Sequence, residues 1–194
     1  LIKNLSYYNF SKNHDLVLID KSTDPNQRLN PKHGVGLARK IGSDIALHLY
    51  SINKIIDPWL YQTDADTYLP ADYFSRIINS KSNLNLNSKS NNIAAVTFPF
   101  THIIENSSNK INIAIQIYEN YLNNSVTELE KANSPYAFHT IGSSIAINAE
   151  FYAKACGFPK KNALEDFYLM NKLAKIGKIL KLDGDPIKIQ TRLS

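Results

Sequence analysis

Residues 59–66 read Trp-Leu-Tyr-Gln-Thr-Asp-Ala-Asp. Aromatic and β-branched side chains crowd the first five positions, a composition that favours a buried strand. The run then stops on two carboxylates separated by one small residue. Working outward, a second β-forming run, Leu-Val-Leu-Ile at 16–19, also ends on an acid, Asp20. Between them lies a polar loop rich in Ser, Thr, Asp, Pro, Asn and Gly over 21–36. A helix follows, in which Leu37, Ile41, Ile45, Leu49 and Ile52 fall four, four, four and three apart on one apolar face. Beyond Asp66, Pro70 suits a first helical position, ahead of Tyr73, Phe74, Ile77 and Ile78.

The remaining chain continues the alternation. Residues 79–92 are polar and low in complexity, which predicts an exposed flexible loop, since such a segment buries too little apolar area to offset its ordering entropy. Further strands are expected at 93–98, 143–147, 179–182 and 187–191, with helices at 111–131, 150–156 and 164–176. Gly157 and Gly177 stand where the last two helices should stop. Strands alternating with helices predict an α/β sheet covered on both faces.

Composition narrows the class without deciding it. The chain has 194 residues, 43% hydrophobic and 20% charged, and a formal net charge of +5, an ordinary globular mixture long enough to bury a core. Cys156 is the only cysteine, so no internal disulfide forms, which fits a reducing compartment. No apolar run reaches the ~20 residues of a membrane-spanning helix. The basic residues are scattered, as on a solvated surface, and the eleven tyrosines are dispersed; a nucleic-acid surface would gather both on one face.

Three places carry candidate chemistry. In Asp64-Ala65-Asp66, residues two apart point the same way, so both carboxylates can face one site. Hard oxygens of this kind suit Mg²⁺ or Mn²⁺ completed by phosphate oxygens, and ligands of α/β sheets bind beyond the carboxyl ends of strands. A solvated turn is the plainer alternative. Glu165-Asp166 opens the last long helix, where acids complement the helix dipole or supply a base for an incoming hydroxyl. In Gly34-Val35-Gly36-Leu37-Ala38-Arg39, glycines allow close backbone approach and Arg39 suits a phosphate. Asp20 suits a nucleobase N–H.

Taken in order, these segments resemble the family 2 glycosyltransferases of the GT-A fold over nearly the whole chain. Val17-Leu18-Ile19-Asp20 with Ser22-Thr23-Asp24 resembles the family's strand and acidic loop, and Gly34 to Arg39 its glycine-then-Ala-Arg helix start. Thr63-Asp64-Ala65-Asp66-Thr67 with Pro70 resembles its metal-binding Asp-x-Asp. His139-Thr140-Ile141-Gly142-Ser143-Ser144-Ile145-Ala146-Ile147, then Cys156-Gly157-Phe158-Pro159, is similar to the stretch before its acidic pair, the place that Glu165-Asp166 occupies.

The resemblance implies a GT-A type, Rossmann-like, mixed and mostly parallel sheet flanked by helices. It implies one catalytic domain over 1–194, cut at both ends and lacking the family's first strand, with the flexible loop at 79–92. It implies transfer of a sugar from a nucleotide-diphosphate donor to a hydroxyl of a carbohydrate, lipid-linked or other acceptor, with inversion. Asp20 would read the base, Arg39 would steady the nucleotide, and Asp64 would contact the ribose or the metal's water shell. Asp66, with Asp64, would hold the Mn²⁺ or Mg²⁺. Asp166 would be the general base, Glu165 would orient the acceptor, and His139 would line the acceptor pocket. The expected location is cytoplasmic, with a peripheral station at the inner face of a membrane, and no nucleic-acid partner. Lys21 and Lys40 depart from the family pattern, and the chain stops at Ser194 where a further nucleotide-contacting segment or metal-ligating His would follow. A nucleotidyltransferase and a non-catalytic nucleotide- or carbohydrate-binding module of the same fold are the alternatives.

Overall fold

The computed structural model describes residues 5–12, 14–83, 92–103 and 109–191. Its centre is a four-stranded sheet made of β3 (Trp59–Gln62), β7 (Ile145–Asn148), β5 (Ile93–Thr97) and β8 (Lys178–Lys181), in that spatial order. Side chains alternate across these strands, as the two-residue period requires. Leu60, Ala95, Ile145 and Ile147 face one core. Trp59, Val96 and Ala146 face the other.

Helices α1 (Gly34–Ser51), α4 (Ala149–Lys154) and α5 (Glu165–Ile176) cover the first face. Phe151, Tyr152, Leu169, Met170 and Leu173 are buried there, with Ala46, Leu47 and Tyr50 of α1 at the margin. The second face is covered by Tyr73, Ile77 of α2 (Arg76–Asn83) and Ile187 of β9 (Ile187–Gln190). A smaller sheet, β4 (Thr67–Tyr68), β9 and β6 (Phe100–Ile103), lies beyond it. The long helix α3 (Asn109–Lys131) follows β6. The architecture is therefore mixed α/β, with mixed sheets flanked by helices.

Several expectations are corrected. Of the six strand pairings among the described residues, only β5–β8 and β6–β9 are parallel; the other four are antiparallel. The sheet is mixed but not mostly parallel, because β7 runs backward between β3 and β5. The apolar run at 16–19 belongs to β2 (His14–Ile19), which forms a separate hairpin with β1 (Leu5–Ser11). Leu16 and Leu18 stay exposed there, so the run does not mark a buried strand of the central sheet. Pro70 does not open a helix. It starts a turn in which Tyr73 N–H donates to the Pro70 carbonyl, and α2 begins at Arg76. The expected loop at 79–92 is helical to Asn83, and 84–91 lie outside the described residues. Strands β4 and β6 lie in segments whose periodicity predicts none. Among the described residues, no helix is long and apolar enough to cross a membrane.

Candidate functional site

Arg39 is in the second turn of α1, and its position depends on how that helix is seated. Gly36 lies against the 159–161 segment. A Cβ there would stand 2.4 Å from the Pro159 carbonyl oxygen and 2.5 Å from that of Lys161, and the Gly36 N–H donates to the Lys161 carbonyl at 2.9 Å. Any larger residue would push α1 away from the chain that leads into α5. The helices are further tied through α4, where the Tyr152 hydroxyl donates to Asp44 Oδ1 at 2.9 Å.

So seated, Arg39 reaches across to two distant carboxylates. Its Nη2 donates to Asp64 Oδ1 at 2.7 Å and to Oδ2 at 2.9 Å. Its Nε donates to Glu165 Oε1 at 3.0 Å. The Arg39 and Glu165 side chains keep only 8% and 5% of their exposure, whereas Asp64 keeps 42%. The guanidinium is thus buried at one end and open to the cleft at the Asp64 end. A planar fork with several fixed donors makes this bridge; an ammonium would not span it.

Asp166 completes the group. At Gly142, a built Cβ would lie 2.7 Å from Arg39 Nη2 and 3.1 Å from Asp166 Oδ2. The absent side chain is what allows the guanidinium and the Asp166 carboxylate to share that spot. Burial pushes the Asp166 pKa up, and the neighbouring Glu165 charge adds to the rise. The Phe167 N–H, donating to Asp166 Oδ1 at 2.7 Å, and the Arg39 charge work against it. The turn that presents the pair is strained: Leu164, just before α5, sits in the left-handed region at φ 61°. For a branched side chain this costs on the order of 1–2 kcal/mol.

Asp66, His139 and Asp20 are the other candidates. Asp66 follows in the turn beyond β3, where the Thr67 N–H and Oγ1 donate to the Asp64 carbonyl and the Gln190 N–H donates to the Asp66 carbonyl at 2.8 Å. His139 is half-buried, its ring edge-on to Phe100 at 5.1 Å, and burial lowers its pKa so that it is neutral at pH 7. Asp20 makes its bonds within its own loop. Its Oδ1 accepts from the Ser22 N–H and hydroxyl and from the Thr23 N–H at 2.8–3.1 Å; the Thr23 hydroxyl first, and then these backbone N–H groups, hold its pKa well below the usual carboxylate range.

Two cavities flank the cluster. One, about 380 Å³, lies between α1 and β3 and is walled by Ala38, Arg39, Gln62 and Asp64. The other, about 470 Å³, runs between α3 and α5, with Leu122, Val126, Phe138, His139 and Phe167 among its walls. No group of three or more His, Cys, Asp or Glu placed to hold a metal occurs among the described residues. The donor set is instead one of a few hard carboxylates, which suits Mg²⁺ or Mn²⁺ when substrate phosphates supply the remaining oxygens. Both Asp64 oxygens are turned to Arg39, and Asp66 lies two residues further on in the same turn.

No known family model and no curated protein matches the chain.

The sequence predicts that the acids at 64/66 and at 165/166 converge on one site, but no local signal shows that Arg39 joins Asp64 to Glu165. Sequence reasoning also gave no role to Gly142, although the residue stands inside the quoted 139–147 stretch; a glycine directly before a buried strand is the signal that close packing leaves.

Proposed function

We propose that this chain is the catalytic core of a metal-assisted, inverting glycosyltransferase of GT-A type, using a nucleotide-diphosphate sugar and an acceptor hydroxyl. One observation carries the reading: Arg39 ties Asp64, beyond the end of β3, to Glu165, at the start of α5, and Asp166 follows Glu165 within reach of the Arg39 charge. The two acidic clusters are thus joined through one guanidinium, which supports a donor-side and an acceptor-side set in one site.

In this scheme Asp166 takes the acceptor proton. A carboxylate with a raised pKa is the better base, and half-burial supplies the rise. The acceptor oxygen bonds to the anomeric carbon as the bond from that carbon to the diphosphate oxygen breaks. The electron pair leaves with the nucleoside diphosphate, and the proton passes to Asp166. Asp66, with Asp64 beside it, would hold a Mg²⁺ or Mn²⁺ that neutralises charge on the leaving diphosphate. Glu165, buried against Arg39, positions the guanidinium. Asp64 and Arg39 then present a fixed polar edge to the donor, while Asp20 is a candidate for the base.

Thermal shift with a panel of nucleoside diphosphates, each with and without Mn²⁺, tests the reading. Stabilisation by one base type, dependent on the metal, is expected. Absence of a shift with every nucleotide overturns it in favour of a non-catalytic module.

A further inference from the structure

The α3–α5 groove has a chemical gradient along its length. Helix α5 lines it with Phe167, Asn171 and Lys175, which are four residues apart and so lie on one helix face. Phe167 directly follows Asp166 in α5, so the groove begins one residue along the helix from the proposed base and runs away from it. The middle of the groove is apolar, walled by Val126 and Leu129 of α3 and by Phe138. At the far end stands Lys175, which among the described residues lining the groove is the only one charged at neutral pH. The rise of an α-helix puts its Cα roughly 12 Å along α5 from that of Phe167. Among the described residues Lys175 has no ion-pair partner, whereas Arg39, which lines the other cavity, is matched by two carboxylates.

We propose that this groove selects the acceptor, and that the acceptor is a hydroxylated molecule with an apolar, ring-sized body and an anionic group, carboxylate or phosphate, held at Lys175. The inference rests on the transferase reading and adds the class of acceptor to it. Cavity volume supports the size: about 470 Å³ is within the ordinary range of small-molecule sites. The aromatic walls suit the apolar face of a ring, and one exposed cation at the end suits one negative charge.

Titration calorimetry of the full chain with two probes tests it: phenyl β-D-glucopyranoside, which is neutral, and its 4-carboxyphenyl counterpart, which is anionic. The anionic probe is expected to bind about fivefold tighter, the upper end for a partly exposed ion pair. Lys175→Glu, at an exposed position, should reverse that preference and leave the neutral probe within about twofold. Leu129→Trp, at a site already 38% exposed, should narrow the groove and weaken both probes. Equal affinities in the parent chain, or an unchanged preference in Lys175→Glu, overturn the inference. A metal-dependent nucleotide shift without anionic preference overturns this inference and leaves the transferase reading standing. An anionic preference that depends on Lys175, without any nucleotide shift, keeps the groove as a binding site and removes the transferase reading.

Discussion

Arg39 Nη2 donates to both oxygens of Asp64, at 2.7 and 2.9 Å, while the Nε of the same guanidinium donates to Glu165. This bidentate contact is the hinge between the end of β3 and the start of α5. Both sequence segments are acidic, and without a cation between them their approach would be repulsive.

Arg39→Leu is therefore expected to leave Glu165 buried and uncompensated, at a cost of about 3–5 kcal/mol for a broken buried pair. Urea denaturation with linear extrapolation measures it. Arg39→Lys should recover less than half, because a single ammonium cannot serve two carboxylates from one position. A loss under about 1 kcal/mol for Arg39→Leu would mean that the bridge does not hold in solution.

Asp166→Asn should abolish transfer and preserve metal-dependent nucleotide binding. Its effect on stability runs the other way. The folded-state pKa of Asp166 is raised, so between the ordinary carboxylate value and the raised one the native state binds more protons than the unfolded chain. Stability then falls as pH rises through that window. At neutral pH the ionised carboxylate is a net cost, and the Asn variant should melt at a higher temperature. That advantage should shrink as the pH falls into the ordinary carboxylate range. In the parent chain, kcat/KM should climb with pH above that range as Asp166 ionises, seen as an acid limb in the rate profile.

Asp66→Asn should remove the Mn²⁺ dependence of nucleotide binding with little effect on Tm, since Asp66 lies in a partly exposed turn outside the two cores. Calorimetric titration of the best-binding nucleoside diphosphate, with and without Mn²⁺, reads this directly. Nucleotide affinity that still rises with Mn²⁺ would move the metal role elsewhere.

Gly142→Ala introduces a methyl group 2.7 Å from Arg39 Nη2 and 3.1 Å from Asp166 Oδ2. The guanidinium is held at both ends and has little room to retreat. A loss of about 1–3 kcal/mol is expected from overpacking, together with a fall in kcat larger than any change in KM. Leu173→Ala, fully buried beneath α5, gives a comparison in which only packing is lost. It should cost about 2–5 kcal/mol without altering the pH profile of the residual activity.

Much of the scaffold was legible in the chain. The run at 59–62, with its Trp and Tyr, forms β3, and the periodicity along 37–52 gives α1, although Ala46, Leu47 and Tyr50 are the residues that pack on the core and Ile52 stays exposed past its end. The amphipathic pattern at 164–176 gives α5, with Leu164 standing outside as its cap. These signals are local: they depend on side chains a few residues apart and on the fixed periods of strand and helix. The hairpin of β1 and β2 shows the limit. The run 16–19 has the composition of a buried strand, yet nothing within those residues says which neighbour it pairs with, and among the described residues it pairs only with 5–11.

What the sequence determined by itself was the alternation of strands and helices, the acids at the end of β3 and the start of α5, and the glycines that flank them. Only the tertiary structure decided that Arg39 stands between those acids, 25 residues from one and 126 from the other, and that the groove beyond Asp166 ends on a lysine. The physical reason is range. A periodic pattern encodes which face of an element is apolar, whereas a contact between residues far apart in the chain depends on how every layer between them packs.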